Sequence, residues 1–321
     1  MKHNEGLLRE EGHLSRPQWV SEVTSDAVRH FAWGIGDNNP LWVDPDYGLA
    51  SVWETTLAPP SFAYAIDETT VAPGMPDYER HYERVEWEWF HQFELGDRVT
   101  SETKFLDEEH DQRADVTRQR GEIFFRSADK GLVARAIVTT RRDRIPLKRI
   151  DDRDEIRYDP EELSQIEEDI LSEKIRGAIS RHPGDVAEGD GVGTITKGPI
   201  SIMDIVAWCA GTTGSPDDPQ GFASGGLDDQ AATGPQLASW VVHLLTNWMG
   251  DSGVLHTLTV NFSGLPLLGS TTTIGGTITR KFSHGNDQFC EIDVECRLQN
   301  DEIIARGRAV VQLPTNTADE N

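Results

Sequence analysis

The sequence predicts an α+β protein in which one domain occurs twice along the chain. Identical residues recur at an offset of 175 in the first part of each half, where Ala32-Trp33 matches Ala207-Trp208. Farther along, an offset of 173 aligns Gly96 with Gly269. Two nearly constant offsets over most of a chain indicate an internal repeat. The length of 321 residues therefore indicates two copies of one domain rather than two unrelated domains.

Each copy shows the same order of predicted elements. An amphipathic helix comes first (SDAVRHFAWGIG, then SIMDIVAWCAG), with apolar residues spaced by three and four. A loop rich in Asp, Asn, Pro and Gly follows, and then a second, more apolar helix (PPSFAYAIDETT, then PQLASWVVHLLTNWMG). Four stretches with alternating apolar residues end each copy, and short turns such as SADKG and SHGND join them as antiparallel hairpins.

One buried helix covered by a long antiparallel sheet is the hot-dog arrangement, because a sheet with one apolar face needs a covering layer. We therefore predict a double hot-dog fold. We place the N-terminal domain at 1–145 and the C-terminal domain at 186–321. The linker at 146–185 contains EELSQIEEDILSEKIRG, which predicts a polar helix on the outside of the protein.

The charge of the chain excludes several classes of partner. Asp and Glu number 55 against 30 Lys and Arg, for a net charge of −25. A polyanion such as nucleic acid would be repelled, and so would an anionic membrane surface. We expect a cytoplasmic protein, since no apolar signal segment or bilayer-spanning stretch is evident. The scarcity of lysine fits either a salt-rich cytoplasm or a GC-rich genome, and both interpretations stay open.

The first copy contains FAWGIGDNNPLWVDPDY followed by LAPPSF. This segment resembles the hydratase motif of MaoC-like dehydratases and R-specific enoyl-CoA hydratases. The whole chain is similar to two-domain members of this MaoC-like or FAS1-like group, with further likeness in EWEWF, the GDRV turn and ASWVVHLLTNWMGD. The resemblance implies addition or removal of water at a conjugated acyl thioester.

In that family an Asp and a His hold the water, and a backbone N–H at the start of the buried helix polarises the thioester carbonyl. Such chemistry needs proton-transfer groups and donors for the developing enolate oxygen. Asp37 and Asn39 match the family motif, but Trp42 stands at the histidine position and cannot titrate. Pro60 follows Pro59 where the family has His-Gly, and a proline offers no N–H.

The second copy lacks the histidine as well. Thr212 corresponds to Asp37, and the loop that follows carries four carboxylates, Asp217, Asp218, Asp228 and Asp229. Asp217 or Asp218 is a candidate replacement for the histidine, and the alternative is a solvated acidic loop. Gly234 begins the second buried helix and is the candidate oxyanion donor.

Several residues are candidate substrate contacts. Asn39, Trp42, Pro60, Phe62 and Trp89 are expected to line an apolar acyl pocket, although the aromatic residues among them also suit a hydrophobic core. Arg141 and Arg142 lie in the densest basic segment and are candidate contacts for the phosphates of CoA. His243, in the second buried helix, is interpreted as a core or interface residue.

We therefore predict an acyl-thioester hydratase or dehydratase with a degenerate Asp–His dyad. We expect no cofactor and no metal, with an acyl-CoA or another acyl thioester as substrate. One alternative is a non-catalytic acyl-binding subunit that pairs with a catalytic hot-dog partner. Another is a repurposed enzyme such as a thioesterase or cyclase. A monomer, a homodimer and a heteromer with another hot-dog protein remain open.

Overall fold

The helices begin where the sequence supplies capping residues. Thr24 accepts a hydrogen bond from Ala27 N at the start of the first helix, and Ser201 caps the equivalent helix of the second copy. The computed structural model describes residues 13–14, 18–75, 78–143, 156–212 and 232–315. The helices are α1 (Ser25–Gly34), α2 (Pro40–Val43), α3 (Pro45–Ala50), α4 (Ala63–Ile66), α5 (Pro160–Leu171), α6 (Ile202–Gly211) and α7 (Gly234–Met249).

The strands form one antiparallel sheet that runs through both copies. They are β1 (His13–Leu14), β2 (Glu79–Trp89), β3 (Val99–Asp111), β4 (Val116–Ser127), β5 (Gly131–Asp143), β6 (Gly191–Lys197), β7 (Val254–Phe262), β8 (Thr272–His284), β9 (Asp287–Leu298) and β10 (Ile303–Leu313). Their order in the sheet is β1-β3-β4-β5-β2-β7-β10-β9-β8-β6. The predicted strands of both copies are confirmed, and β2 joins β7 from Arg84↔Asn261 to Glu88↔Thr257.

The two central helices differ in length. Every residue of α7 is buried, as its apolar sequence predicts. The helix of the first copy is much shorter than predicted, since a 3-10 turn at Pro60–Phe62 is followed only by α4. It ends because Asp67 has an extended backbone and its Oδ2 accepts a hydrogen bond from Ser101 Oγ. The Thr69-Thr70-Val71 segment that follows is not helical, and its β-branched residues favour extended backbone over helix.

Helices α1 and α6 cross at small residues from both copies. A Cβ on Gly34 would lie 2.8 Å from the carbonyl oxygen of Ala207, and one on Gly211 would lie 2.8 Å from that of His30. The contacts are reciprocal, so the two helices pack as equivalent partners. Each backbone approaches the other so closely that only glycine fits.

The linker helix α5 packs on the outside, as predicted, and none of its residues is buried. The chain after it turns back onto the C-terminal end of α7. Arg176 N donates to Asn247 O, Asp251 N donates to Gly177 O, and Arg181 Nε donates to Trp248 O. The linker thereby satisfies carbonyl groups that a helix end leaves unpaired, and it places a guanidinium near the negative end of the helix dipole.

Candidate functional site

Asp37, the residue that matches the family aspartate, is fully buried, although its neighbours Gly36 and Asn38 are exposed. Its Oδ2 accepts a 2.9 Å hydrogen bond from the indole Nε1 of Trp42, and its Oδ1 accepts one from Asn39 N at 3.0 Å. Asn39 in turn caps α2 by accepting from Leu41 N. The indole at the histidine position therefore acts as a hydrogen-bond donor to the carboxylate. Thr212, the counterpart of Asp37, is also buried and donates to the carbonyl oxygen of Trp208.

His243 reaches the same place from the other copy. Its Nε2 lies 3.6 Å from Asp37 Oδ1 and 2.7 Å from Glu173 Oε1. Nε2 thus faces both carboxylates, and neither contact has the geometry of a hydrogen bond. Asn247, one helical turn later on α7, donates to Glu173 Oε1 at 2.9 Å. His243 thus lies where the two copies meet, and the linker carboxylate of Glu173 lies against it.

Lys197, at the end of β6, completes this group. Its Nζ donates to the carbonyl oxygen of Gly36 at 3.0 Å and lies 3.8 Å from Glu173 Oε2. We call Asp37, Glu173, Lys197 and His243 the Asp37 cluster. It brings together two carboxyl groups, one ammonium group and one imidazole. A buried charge is tolerated only when an opposite charge or hydrogen bonds compensate it.

The pKa values follow from this arrangement. Burial raises the pKa of Glu173. The neighbouring His243, Lys197 and Asn247 lower it by more than burial raises it, so the resulting pKa is about 2. Burial lowers the pKa of Lys197, and the carboxylates of Glu173 and Asp37 oppose that effect. Glu173 is therefore a carboxylate whose charged form is stabilised inside the protein.

A small cavity of about 10 Å³ lies beside the cluster. The first copy lines it with Asn39, Trp42 and Pro60, which were predicted to bind substrate. The second copy lines it with Thr246 and Asp251, at the C-terminal end of α7. A cavity of this size has room for one water molecule and not for an acyl chain.

Asp251 is a buried carboxyl group on the wall of this cavity. Its Oδ2 accepts a 2.7 Å hydrogen bond from Tyr47 Oη, and its backbone carbonyl accepts from Trp53 Nε1. Its Oδ1 is buried and has no hydrogen-bond partner among the described residues. Burial raises the pKa of Asp251, although the hydrogen bond from Tyr47 opposes this. Burial and the contact with Asp251 raise the pKa of Tyr47 to about 12.

Other predicted site residues lie apart from the cavity wall. Phe62 packs edge-on against Phe31 in the core, at 5.7 Å between ring centroids. Trp89 stacks on Trp87 and donates to the carbonyl oxygen of Pro60. At Gly234 a Cβ would lie 2.7 Å from Tyr82, so the tyrosine covers the start of α7. For the two aromatic side chains, the structure favours the core interpretation over an acyl pocket.

Arg142 is buried and does not offer its guanidinium to a ligand. The side chain donates to the carbonyl oxygens of Ala72, Gly74 and Met75. Burial and the nearby Arg80 lower the pKa of Arg142 to about 10. Its expected role as a phosphate contact is corrected, because its donors hold the loop before β2. Arg141 is more exposed and forms an ion pair with Asp143.

Asp217 and Asp218, together with Asp228 and Asp229, lie outside the described residues. Sequence reasoning missed Glu173, Lys197 and Asp251. Glu173 and Lys197 lie far from the motif in sequence and carry no local signal. Asp251 had a weak one, since it is a carboxylate two residues after a helix with a wholly apolar face.

Comparison with known proteins bears on the first copy most directly. Residues 11–119 match the family "FAS1-like, dehydratase domain region". A "UPF0336 protein" of Streptomyces avermitilis is 31% identical over 111 residues, which cover 32% of this chain and 73% of that relative. The chain belongs to the MaoC-like/FAS1-like dehydratase family.

Several solved structures share the fold of this chain along nearly its whole length. A "MaoC-like dehydratase" has a TM-score of 0.69 at 15% identity and covers 97% of this chain and 100% of its own. A putative MaoC domain protein dehydratase from Chloroflexus aurantiacus has a TM-score of 0.63 at 11% identity. The match covers 98% of this chain and 99% of that one.

A conserved hypothetical protein from Mycobacterium tuberculosis has a TM-score of 0.59 at 11% identity and is described as a double hot-dog fold. The match covers 97% of this chain and 96% of that one. At these identities the likeness concerns the fold, and it confirms the predicted double hot-dog architecture of this dehydratase-family chain. In the described part of the chain, none of the helices has both the length and the apolar character needed to cross a bilayer.

Proposed function

We propose that the chain is an acyl-thioester hydratase or dehydratase, which adds or removes water at a double bond conjugated with a thioester carbonyl. Family membership supports this reaction class. The observation that carries the proposal is the approach of a histidine of the second copy to the motif aspartate. His243 Nε2, on the buried helix α7, lies 3.6 Å from Asp37 Oδ1.

The proposed chemistry divides the work between two kinds of group. A proton-transfer group serves the α-carbon, and Asp37 with His243 is the acid–base pair nearest to the cavity-lining motif residues. The enolate oxygen also needs a donor. The candidate Gly234 N–H begins α7, about 18 Å along the helix axis from Thr246 on the cavity wall, so it does not serve a substrate at the cavity. The substrate is an enoyl or hydroxyacyl thioester, with acyl-CoA as the first choice.

The test is hydration of enoyl-CoA substrates of several chain lengths, followed by loss of the conjugated chromophore. The wild-type chain is expected to turn over at least one of them. Asp37→Asn keeps the shape of the side chain and is expected to lower kcat by about 100-fold or more, as loss of a proton-transfer group does. An exposed control, Asp169→Asn on α5, should leave kcat unchanged. A wild-type chain without turnover at any chain length would overturn the proposal.

A non-catalytic acyl-binding subunit is the second candidate. Trp42 favours it, because its indole occupies the histidine position and holds Asp37 by a hydrogen bond. This candidate predicts acyl-CoA binding without turnover, and hydratase activity only after addition of a hot-dog partner that carries an Asp–His dyad. Isothermal titration with a non-hydrolysable acyl-CoA analogue, followed by the hydration assay, separates the two candidates.

A further inference from the structure

Helix α6 has apolar residues on two faces. Ile205, Trp208 and Cys209 form the inner face and are buried, as in any amphipathic helix. The outer face is exposed and apolar as well, and we call it the α6 stripe: Ile202, Met203, Val206, Ala207 and Ala210. Met203 is 70% exposed. A helix that is apolar on all sides is normally buried on all sides, and an exposed apolar patch often marks an interaction site.

The equivalent face of α1 is mostly polar. The two helices are aligned by their N-cap residues and by Gly34 and Gly211, which make reciprocal contacts where the helices cross. In this alignment three polar residues of α1 stand opposite three apolar residues of α6: Asp26 corresponds to Met203, Arg29 to Val206 and His30 to Ala207. The first copy therefore meets solvent with polar groups at positions where the second copy has apolar ones.

We propose that a second copy of this chain covers the α6 stripe, with the two α6 helices packed antiparallel about a two-fold axis. A two-fold interface is self-complementary, so one end of the stripe must fit the other. The stripe has this property, because its longer side chains lie in the N-terminal half and its alanines in the C-terminal half. Met203 of one copy then packs over Ala210 of the other, and Val206 lies next to the axis. This inference does not depend on the proposed function.

The charge of the chain favours the stripe as the place for this contact. Two copies, each with a net charge of −25, repel each other over most of their surfaces. Asp204 is the single charged residue of α6, and its carboxylate accepts hydrogen bonds from the backbone N–H and the hydroxyl of Ser201. A basic partner would gain no electrostatic attraction from an uncharged stripe, so a second copy fits it better.

The stripe also continues an interface that the fold already uses. At the crossing with α1, a Cβ on Gly34 would lie 2.8 Å from the carbonyl oxygen of Ala207, a residue of the stripe. Trp33, one residue before Gly34, is 55% exposed on the α1 side of the crossing. Because α6 has ten residues, the stripe is about 15 Å long. An interface of this size is small, and we expect a dimer that dissociates at micromolar concentrations.

Sedimentation equilibrium of the full chain over a concentration series tests the proposal. The average mass of the wild type is expected to rise with concentration from 35.8 kDa towards twice that value. Met203→Asp should stay monomeric, because it places a carboxylate in an apolar contact. The variant should still fold, since Met203 is exposed and an aspartate suits the first turn of a helix. Circular dichroism checks that it does.

Leu49→Asp is the matched control. Leu49 is 64% exposed on α3, and the substitution adds the same charge away from the stripe. It should dimerise like the wild type. Met203→Lys separates burial from charge, because it makes the chain less negative and yet places an ammonium group in the apolar contact. It is expected to abolish the dimer, as Met203→Asp does.

The salt dependence gives a further readout. Added sodium chloride should tighten the wild-type dimer, because it screens the repulsion between two acidic chains. A wild type that is monomeric at every concentration would overturn the proposal, and so would a dimer that both Met203 variants leave intact. A dimer that dissociates when salt is added would overturn the apolar contact. A monomer that binds a different hot-dog protein through Met203 would assign the stripe to another partner and would also overturn the proposal.

Discussion

Trp42 Nε1 donates a 2.9 Å hydrogen bond to Asp37 Oδ2, and both side chains are buried. A tryptophan thus holds the carboxylate where the family motif has a histidine. The bond keeps one donor on a buried charge but supplies no titratable group. The substitution therefore preserves the structure of the loop while it changes the chemistry available there.

Trp42→Phe should destabilise the protein. Phenylalanine keeps most of the apolar volume but leaves Asp37 Oδ2 without its donor, which costs about 1–3 kcal/mol when a buried acceptor loses its partner. Urea unfolding measures the difference. The matched control is Trp33→Phe, because the Trp33 side chain is 55% exposed and should change stability by less than about 0.5 kcal/mol. Equal stability of Trp42→Phe and wild type would contradict the importance of this bond.

Glu173 should contribute a stability term that disappears in acid. Its pKa in the folded protein is about 2, against an ordinary value of 4.5. Because the folded pKa is depressed, the contribution is present above about pH 4.5 and is lost as pH falls towards 2. Glu173→Gln should therefore be less stable than wild type near neutral pH, and the difference should shrink through this window.

Urea unfolding at a series of pH values checks this prediction. Glu167→Gln is the control, since Glu167 is exposed on α5 and its substitution should give a small difference that does not vary with pH. A difference between wild type and Glu173→Gln that stays constant down to pH 2 would argue against an ionised Glu173 in the folded cluster.

Gly34→Ala should weaken the packing of α1 on α6. The added Cβ would meet the carbonyl oxygen of Ala207 at 2.8 Å, and a backbone atom cannot move aside cheaply. Overpacking of this kind costs about 1–3 kcal/mol. Thermal unfolding measures the change, with Gly184→Ala as control because a Cβ there meets nothing within 4 Å. A Tm equal to that of the control would show that the helices separate without cost.

The hydratase proposal predicts turnover of an enoyl thioester, and this outcome is independent of the stability predictions. If the chain binds acyl-CoA without turnover, the result supports the second candidate, a non-catalytic acyl-binding subunit.

Much of the fold was predictable because it depends on local pattern and repetition. Alternation along the strands and the apolar face of α7 each indicate burial within one element. The offset between Ala32-Trp33 and Ala207-Trp208 indicates that the domain is repeated. The length of the first central helix was not predictable in the same way. It ends where Asp67 meets Ser101, a contact between residues 34 positions apart in sequence.

The sequence by itself determined the double hot-dog fold, the family motif around Asp37 and the loss of its histidine. Only the tertiary structure decided which side chains lie against Asp37. It brought His243 from the second copy, Glu173 from the linker and Lys197 from β6 to one buried carboxylate, and it placed Asp251 on the cavity wall. These residues are far apart in sequence. They lie together in the folded protein because buried polar groups need opposite charges or hydrogen bonds to compensate them.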